Sequence, residues 1–340
     1  QANHALTFKL DRLGGADHKA PLNFTQVDAR HNMLTHENIR LRRTFPWSHS
    51  IRKILYADRP VPFSRDHLFI GSDYGGNHKG SAFNTYAYLL VNGEHSDWVS
   101  HLRVIRSKHL KDGRRMSFKR LSDPERQVAL VPFLEAADVL NGHLVVFAID
   151  KSVRLYPTKK ADLAEWKSIL GLSAKWNSRA FETAFLKTHL FTILLAQWAS
   201  RHTDITWISD QDEFVANDYR LDDIQQLAAR LHSLYIRQPM GTFAMNTTEI
   251  DGFGLMLEDL VAIPDLAAGM IAEICSHLKK EATWPNLSQQ KTLQDDQARP
   301  KSELLADWFW YKHARLSRTC IVIDKILEQL RVFRMDKLDV

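Results

Sequence analysis

Apolar and polar positions follow two periods along this chain, and their succession predicts a mixed α/β sheet. The run from His67 to Asp73 is apolar, bounded by glycine and closed by an acid, which predicts a buried strand. A β-rich run from Thr85 to Val91 predicts its hairpin partner, with Gly75, Gly76 and Gly80 serving the turn between them. Trp98, Leu102 and Ile105 fall on one face of a short helix opening at Ser96. Met116 to Lys119 predicts a brief third strand. Ser122, Pro124 and Glu125 mark a helix start, and that helix runs to about Leu140 before Asn141 and Gly142 end it.

His143 to Asp150 is the clearest central strand, a nearly continuous β-branched and aromatic run of the kind buried on both faces. Helical patterns follow around Leu163 to Leu170 and from Ser178 to Arg201, the second apolar nearly all round. The next strand, from Asp204, again ends in an acid, Asp210. Arg220 to Leu234 is amphipathic, and Gly241 to Met245 predicts a further short strand. Phe253 to Lys280 is helical around Pro264, and the tail from Glu303 predicts one or two amphipathic helices. The chain thus divides into an N-terminal extension (1–60), an α/β core whose first strand is central (61–282), and a polar linker with C-terminal helices (283–340). Those helices offer a surface for a protein partner or a second copy.

Composition narrows the class. The 340 residues are 44% apolar, enough for one large core or two ordinary ones. The strongest apolar window, around Leu190 to Trp198, is too short to cross a bilayer, and the N-terminus lacks the apolar core of a signal peptide. Cys275 and Cys320 have no paired spacing, so reduced structural thiols are expected. Together these predict a soluble, cytoplasmic protein without membrane contact.

Charge is unevenly spread, although the formal sum is only +5 and the pI near 9.1. Between Arg103 and Arg120 eight Lys or Arg stand against Asp112 alone. Of these, Lys108, Lys111, Arg114, Arg115 and Lys119 are candidate phosphate contacts for DNA or RNA. Acids gather in two later segments, 204–223 and 249–265. A basic chain with concentrated carboxylates suits a metal-dependent enzyme acting on a polyanion.

Three acids sit at element boundaries where folding could gather them: Asp73, Asp210 and Asp265. Asp265 follows Pro264, and a helix starting there would place it in the first turn, where the helix dipole favours negative charge. The small residues Ala267, Ala268 and Gly269 would let that helix lie close to the sheet. Such carboxylates suit Mg²⁺ or Mn²⁺ better than zinc, because no Cys or His spacing accompanies them. Two ions ~4 Å apart would serve an in-line phosphodiester displacement. Asp212, Glu213 and Asp259 are possible supplementary ligands, and Asp150 and Glu135 lie where related folds sometimes keep an acid.

The strand ending in Asp73, the strand ending in Asp210 and the Pro-Asp-Leu-Ala-Ala-Gly run through Asp265 resemble a widespread, largely uncharacterised bacterial family with a ribonuclease-H-like fold. That family opens with a strand ending Asp-Glu-Ser-Gly and closes with a helix bearing Ala-Asp-Leu-x-Ala-Gly. The resemblance covers roughly residues 65 to 280. It implies a metal-dependent nuclease-type centre in which Asp73, Asp210 and Asp265 are the catalytic acids and metal ligands. Here Asp-Tyr-Gly-Gly replaces the opening motif, so its second acid has no match. Two rival readings compete with it. Asp210 and Asp212 also form a DxD pattern of the kind that holds Mn²⁺ and a sugar nucleotide in glycosyltransferases, and a non-catalytic nucleic-acid-binding module would use the basic stretch equally well.

Overall fold

In the computed structural model the described residues are 22–23, 45–58, 66–92, 96–156, 160–200, 202–210, 213–235, 241–251, 255–280, 284, 300–311 and 313–336. They form an α/β protein with a mixed sheet and eight helices among the described residues. The strands are β1 (Leu22–Asn23), β2 (His67–Gly75), β3 (Phe83–Asn92), β4 (Gly142–Asp150), β5 (Asp204–Ser209), β6 (Thr242–Thr247), β7 (Ser317–Ile326) and β8 (Gln329–Met335). The helices are α1 (Pro46–Ala57), α2 (Ser96–His109), α3 (Pro124–Asp138), α4 (Lys160–Ile169), α5 (Ser178–Trp198), α6 (Asp218–Tyr235), α7 (Met256–Lys280) and α8 (Pro300–Trp310). The described residues of 71–153 and 251–340 make one compact unit, and those of 8–70 and 154–250 another.

In the first unit the strand order is β2-β3-β4-β7-β8. β4 pairs antiparallel with β3 and parallel with β7, and β7 pairs antiparallel with β8. Every residue of β4 is buried, as its unbroken apolar run requires of a strand covered on both faces. Trp98, Leu102 and Ile105 are buried in α2, on the expected face. α3 begins one residue later than the Ser122 signal suggests: Asp123 is the cap, and its carboxylate accepts from the Arg126 N–H at 3.1 Å. The expected strand at Met116 to Lys119 is absent. Phe118–Arg120 is instead a single 3-10 turn.

In the second unit the order is β1-β6-β5-β2. β5 and β6 are parallel, and the two-residue β1 is antiparallel to β6. α5 is capped by Asn177, which accepts from Ala180 N–H at 2.8 Å, and it packs against α1, α4 and α6. Phe191 of α5 stacks on Trp207 of β5 with ring centres 4.0 Å apart. Of the expected N-terminal extension, α1 therefore belongs to this core, while 1–21 and 24–44 lie outside the described residues.

Two further expectations are corrected. Pro264 lies inside α7 rather than at a helix start, so Asp265 is mid-helix and outside the reach of the N-terminal dipole. The tail holds one helix, α8, and then the β7–β8 hairpin instead of a second helix. The linker positions 288–299 lie outside the described residues. α7 is long and apolar enough to cross a membrane, yet 78% of its most apolar window is buried inside the protein. Its apolarity is that of a core helix.

The hairpin turn is Leu327-Glu328, and both residues are left-handed, at φ 46° and 64°. That geometry suits a two-residue turn but costs roughly 1–2 kcal/mol per non-glycine residue. Leu327 is 92% exposed, so its side chain offers little in return. Replacing Leu327-Glu328 by Asn-Gly is expected to raise stability by ~1–2 kcal/mol, read as a higher thermal midpoint; a lower midpoint would show that the present side chains hold the turn.

Candidate active site

The first unit places Asp73 and Asp265 together, and the spacing of β2 and α7 explains why. Alternate residues of a strand share a face, so Gly71, Asp73 and Gly75 point the same way. A Cβ on Gly71 would stand 3.5 Å from the Leu260 carbonyl oxygen, and one on Gly75 would stand 3.2 Å from that of Ala268. From Gly71 to Gly75 the strand advances ~13 Å, and from Leu260 to Ala268 the helix advances ~12 Å. α7 therefore runs alongside β2 in step with it, and the position opposite Asp73 falls beside Pro264 and Asp265. The two carboxyl groups are in side-chain hydrogen-bond contact.

Further contacts set this geometry. Thr85 Oγ1 of β3 donates to the Ala268 carbonyl at 2.9 Å, which pins α7 to the sheet. Pro264 has no N–H, so the Leu260 carbonyl loses its helical partner where the strand passes. Asp73 Oδ1 accepts from the Tyr74 N–H at 2.6 Å. Asp265 Oδ2 accepts from the Phe118 N–H at 2.8 Å, and the Ser117 side chain also bonds this carboxylate. Burial pushes the Asp265 carboxyl above its ordinary value; Phe118, Ser117, Asp73 and the charge of Lys119 work against that rise.

The other expected residues each have surroundings of their own. Asp210 follows β5 in the second unit, where its Oδ1 accepts from Thr248 Oγ1 at 3.4 Å. Asp212 lies outside the described residues, and Glu213 opens a 3-10 turn. Asp259 is buried in α7 with both oxygens taken by Arg106, from Nε at 2.6 Å and Nη2 at 2.5 Å, so it serves a guanidinium rather than a cation site. Asp150 pairs with Lys279 and accepts from the Ser152 N–H at 2.8 Å; burial opposes its ionisation, but these contacts prevail and hold its carboxyl below the ordinary value. Glu135 is exposed on α3.

Part of the basic stretch is answered from within. Arg114 reaches Asp112 at 2.6 Å, Asp123 at 2.8 Å and Glu125 at 2.5 Å, and Arg115 reaches Glu258 at 2.6 Å. Lys108 and Lys111 are exposed, and Lys119 is exposed with its charge felt at Asp265.

Among the described residues no group of three or more His, Cys, Asp or Glu side chains is arranged to hold a metal ion. The pair nevertheless suits one hard cation, because Mg²⁺ is commonly held by one or two carboxylates and fills its other positions with water and phosphate oxygens. Compared with known protein families and with curated proteins, the chain matches none.

The Arg106–Asp259 pair yields a prediction. Burial, against the pull of Arg106, lifts the Asp259 carboxyl from 3.8 to about 6. The folded state then holds the extra proton between those values, so this residue's contribution to stability is full below 3.8 and lost as pH rises through about 6. Arg106→Met removes the cation and is expected to cost ~3–5 kcal/mol at pH 8, and less at pH 5, where the carboxyl takes up its proton. Denaturant midpoints at both pH values check this, and adding Asp259→Leu should recover most of the loss.

Proposed function

We propose that this chain is a divalent-metal-dependent phosphodiester hydrolase of nuclease type, with its centre built on Asp73 and Asp265. The observation that carries the reading is the meeting of these two carboxyl groups, one from a strand and one from a helix far along the chain. Two half-buried acids facing each other repel unless a proton or a cation lies between them.

The fold supports a ribonuclease-H-like reading in its strand order. In the first unit β3 and then β4 succeed β2 across the sheet, and in the second β5 and then β6 do. Asp73 and Asp265 would hold Mg²⁺ or Mn²⁺, and Lys119, exposed beside Asp265, would contact a phosphate of DNA or RNA. When bound, the cation supplies charge neutralisation at the phosphate and lowers the pKa of water. The protein's share is to fix two oxygens on rigid elements and to set a lysine beside them. The DxD reading leaves this pair without a role.

Incubation of the unaltered protein with single- and double-stranded DNA, RNA and hybrids in Mg²⁺ or Mn²⁺ is expected to give cleavage that chelation abolishes. Asp73→Asn and Asp265→Asn should each lower it at least ~100-fold while the fold persists. Cleavage that survives in both variants would place the chemistry elsewhere; binding without any cleavage would favour the non-catalytic module.

A further inference from the structure

Lys301 stands in the first turn of α8 and reaches the segment that holds Asp265. Its Nζ donates to the Phe118 carbonyl at 3.2 Å and lies 3.8 Å from the centre of the Phe118 ring. Glu273 of α7 is 3.8 Å from the same ammonium, and Ser302 donates to Glu273 at 2.7 Å, so α8 is fastened to α7 beside this contact. Phe118 is also confined by α7. A Cβ on Gly269 would come within 2.2 Å of its ring, so α7 is open at that position only because glycine occupies it. The Phe118 N–H in turn donates to Asp265 at 2.8 Å.

These contacts form one line from α8 to the acid pair: Lys301 to the Phe118 carbonyl and ring, Phe118 N–H to Asp265, Asp265 to Asp73. We infer that Lys301 is a positioning residue for the candidate centre, fixing through Phe118 the orientation of the Asp265 carboxylate toward Asp73. The inference rests on the reading of Asp73 and Asp265 as cation ligands. An ammonium bonded to a carbonyl and seated on an aromatic face holds a peptide by two directions at once. Groups that orient a metal-binding carboxylate without touching the ion commonly change affinity 10- to 100-fold when removed.

The test uses the full chain and Mn²⁺ alone, with affinity measured by titration calorimetry and by the loss of the free-ion paramagnetic resonance signal. Lys301→Met is expected to weaken Mn²⁺ binding about tenfold or more and to speed hydrogen exchange at the Phe118 amide, while Lys301→Arg, which keeps a donor over the ring, restores most of both. Gly269→Ala supplies a second route should Lys301→Met fail to fold. Alanine favours the helix, yet its Cβ must displace Phe118, so Mn²⁺ affinity should fall although α7 is intact. Asp73→Asn separates the two levels of argument. If that variant loses Mn²⁺ binding while Lys301→Met or Gly269→Ala keeps the unaltered affinity, the positioning role is overturned and the centre stands. If Asp73→Asn binds Mn²⁺ as well as the unaltered protein does, the centre and the positioning role fall together.

Discussion

Gly75 carries no Cβ, and this lets the α7 backbone settle against β2 with the Ala268 carbonyl oxygen 3.2 Å from where that atom would be, while at Gly71 a Cβ would make ordinary contact with the Leu260 carbonyl oxygen at 3.5 Å. The approach brings a strand residue and a helix residue close enough for their side chains to bond directly. With a Cβ at Gly75 the Ala268 carbonyl and the Thr85 hydroxyl would both have to give way, and the approach of α7 to the sheet would loosen there. Thr85 reinforces the contact by giving the Ala268 carbonyl a second donor. Small residues thus do for the acid pair what a longer side chain could not, since they set a distance between backbones and leave no freedom in it.

Electrostatics in the first unit are organised around the same helix. Arg106 and Arg115 both send their charge to α7, at Asp259 and Glu258, while Arg114 gathers three carboxylates around the loop before α3. These pairs hold α2 and the following loop against α7. The loop then presents Ser117 and the Phe118 N–H to Asp265. A stretch that reads in sequence as a basic strip is, in the folded unit, clamped at three of its eight cations, Arg106, Arg114 and Arg115, while Lys119 stays exposed with its charge felt at Asp265.

The regular elements were legible because each carried a long, consistent pattern: β4 through its unbroken apolar run, α2 through Trp98, Leu102 and Ile105, α5 through its apolar length. The close approach of α7 to the sheet was legible too, from Ala267, Ala268 and Gly269, and the Thr85 bond to the Ala268 carbonyl marks it. What sequence left unread depends on partners distant along the chain. Nothing near Arg114 announces Glu125, and nothing near Asp259 announces Arg106. The β7–β8 hairpin was hidden by its turn, since Leu327-Glu328 lacks the Asn-Gly signal that usually marks such a connection. Pro264 was read as a helix start because proline favours first turns; apolar packing on both sides of α7 carries the helix through it. Lys301 had no signal at all, because its meaning lies in the Phe118 carbonyl.

The first unit is assembled from two stretches of chain with residues 154–250 between them. During synthesis a domain emerges from the ribosome from its N-terminus onward. A nascent chain that has reached residue 250 already contains β2, β3 and β4, but not the helix that covers the glycine face of β2. Until α7 emerges, Asp73 has no Asp265 to meet. The acid pair is therefore completed only once α7 has been made, and any chain ending before Met256 is born without it.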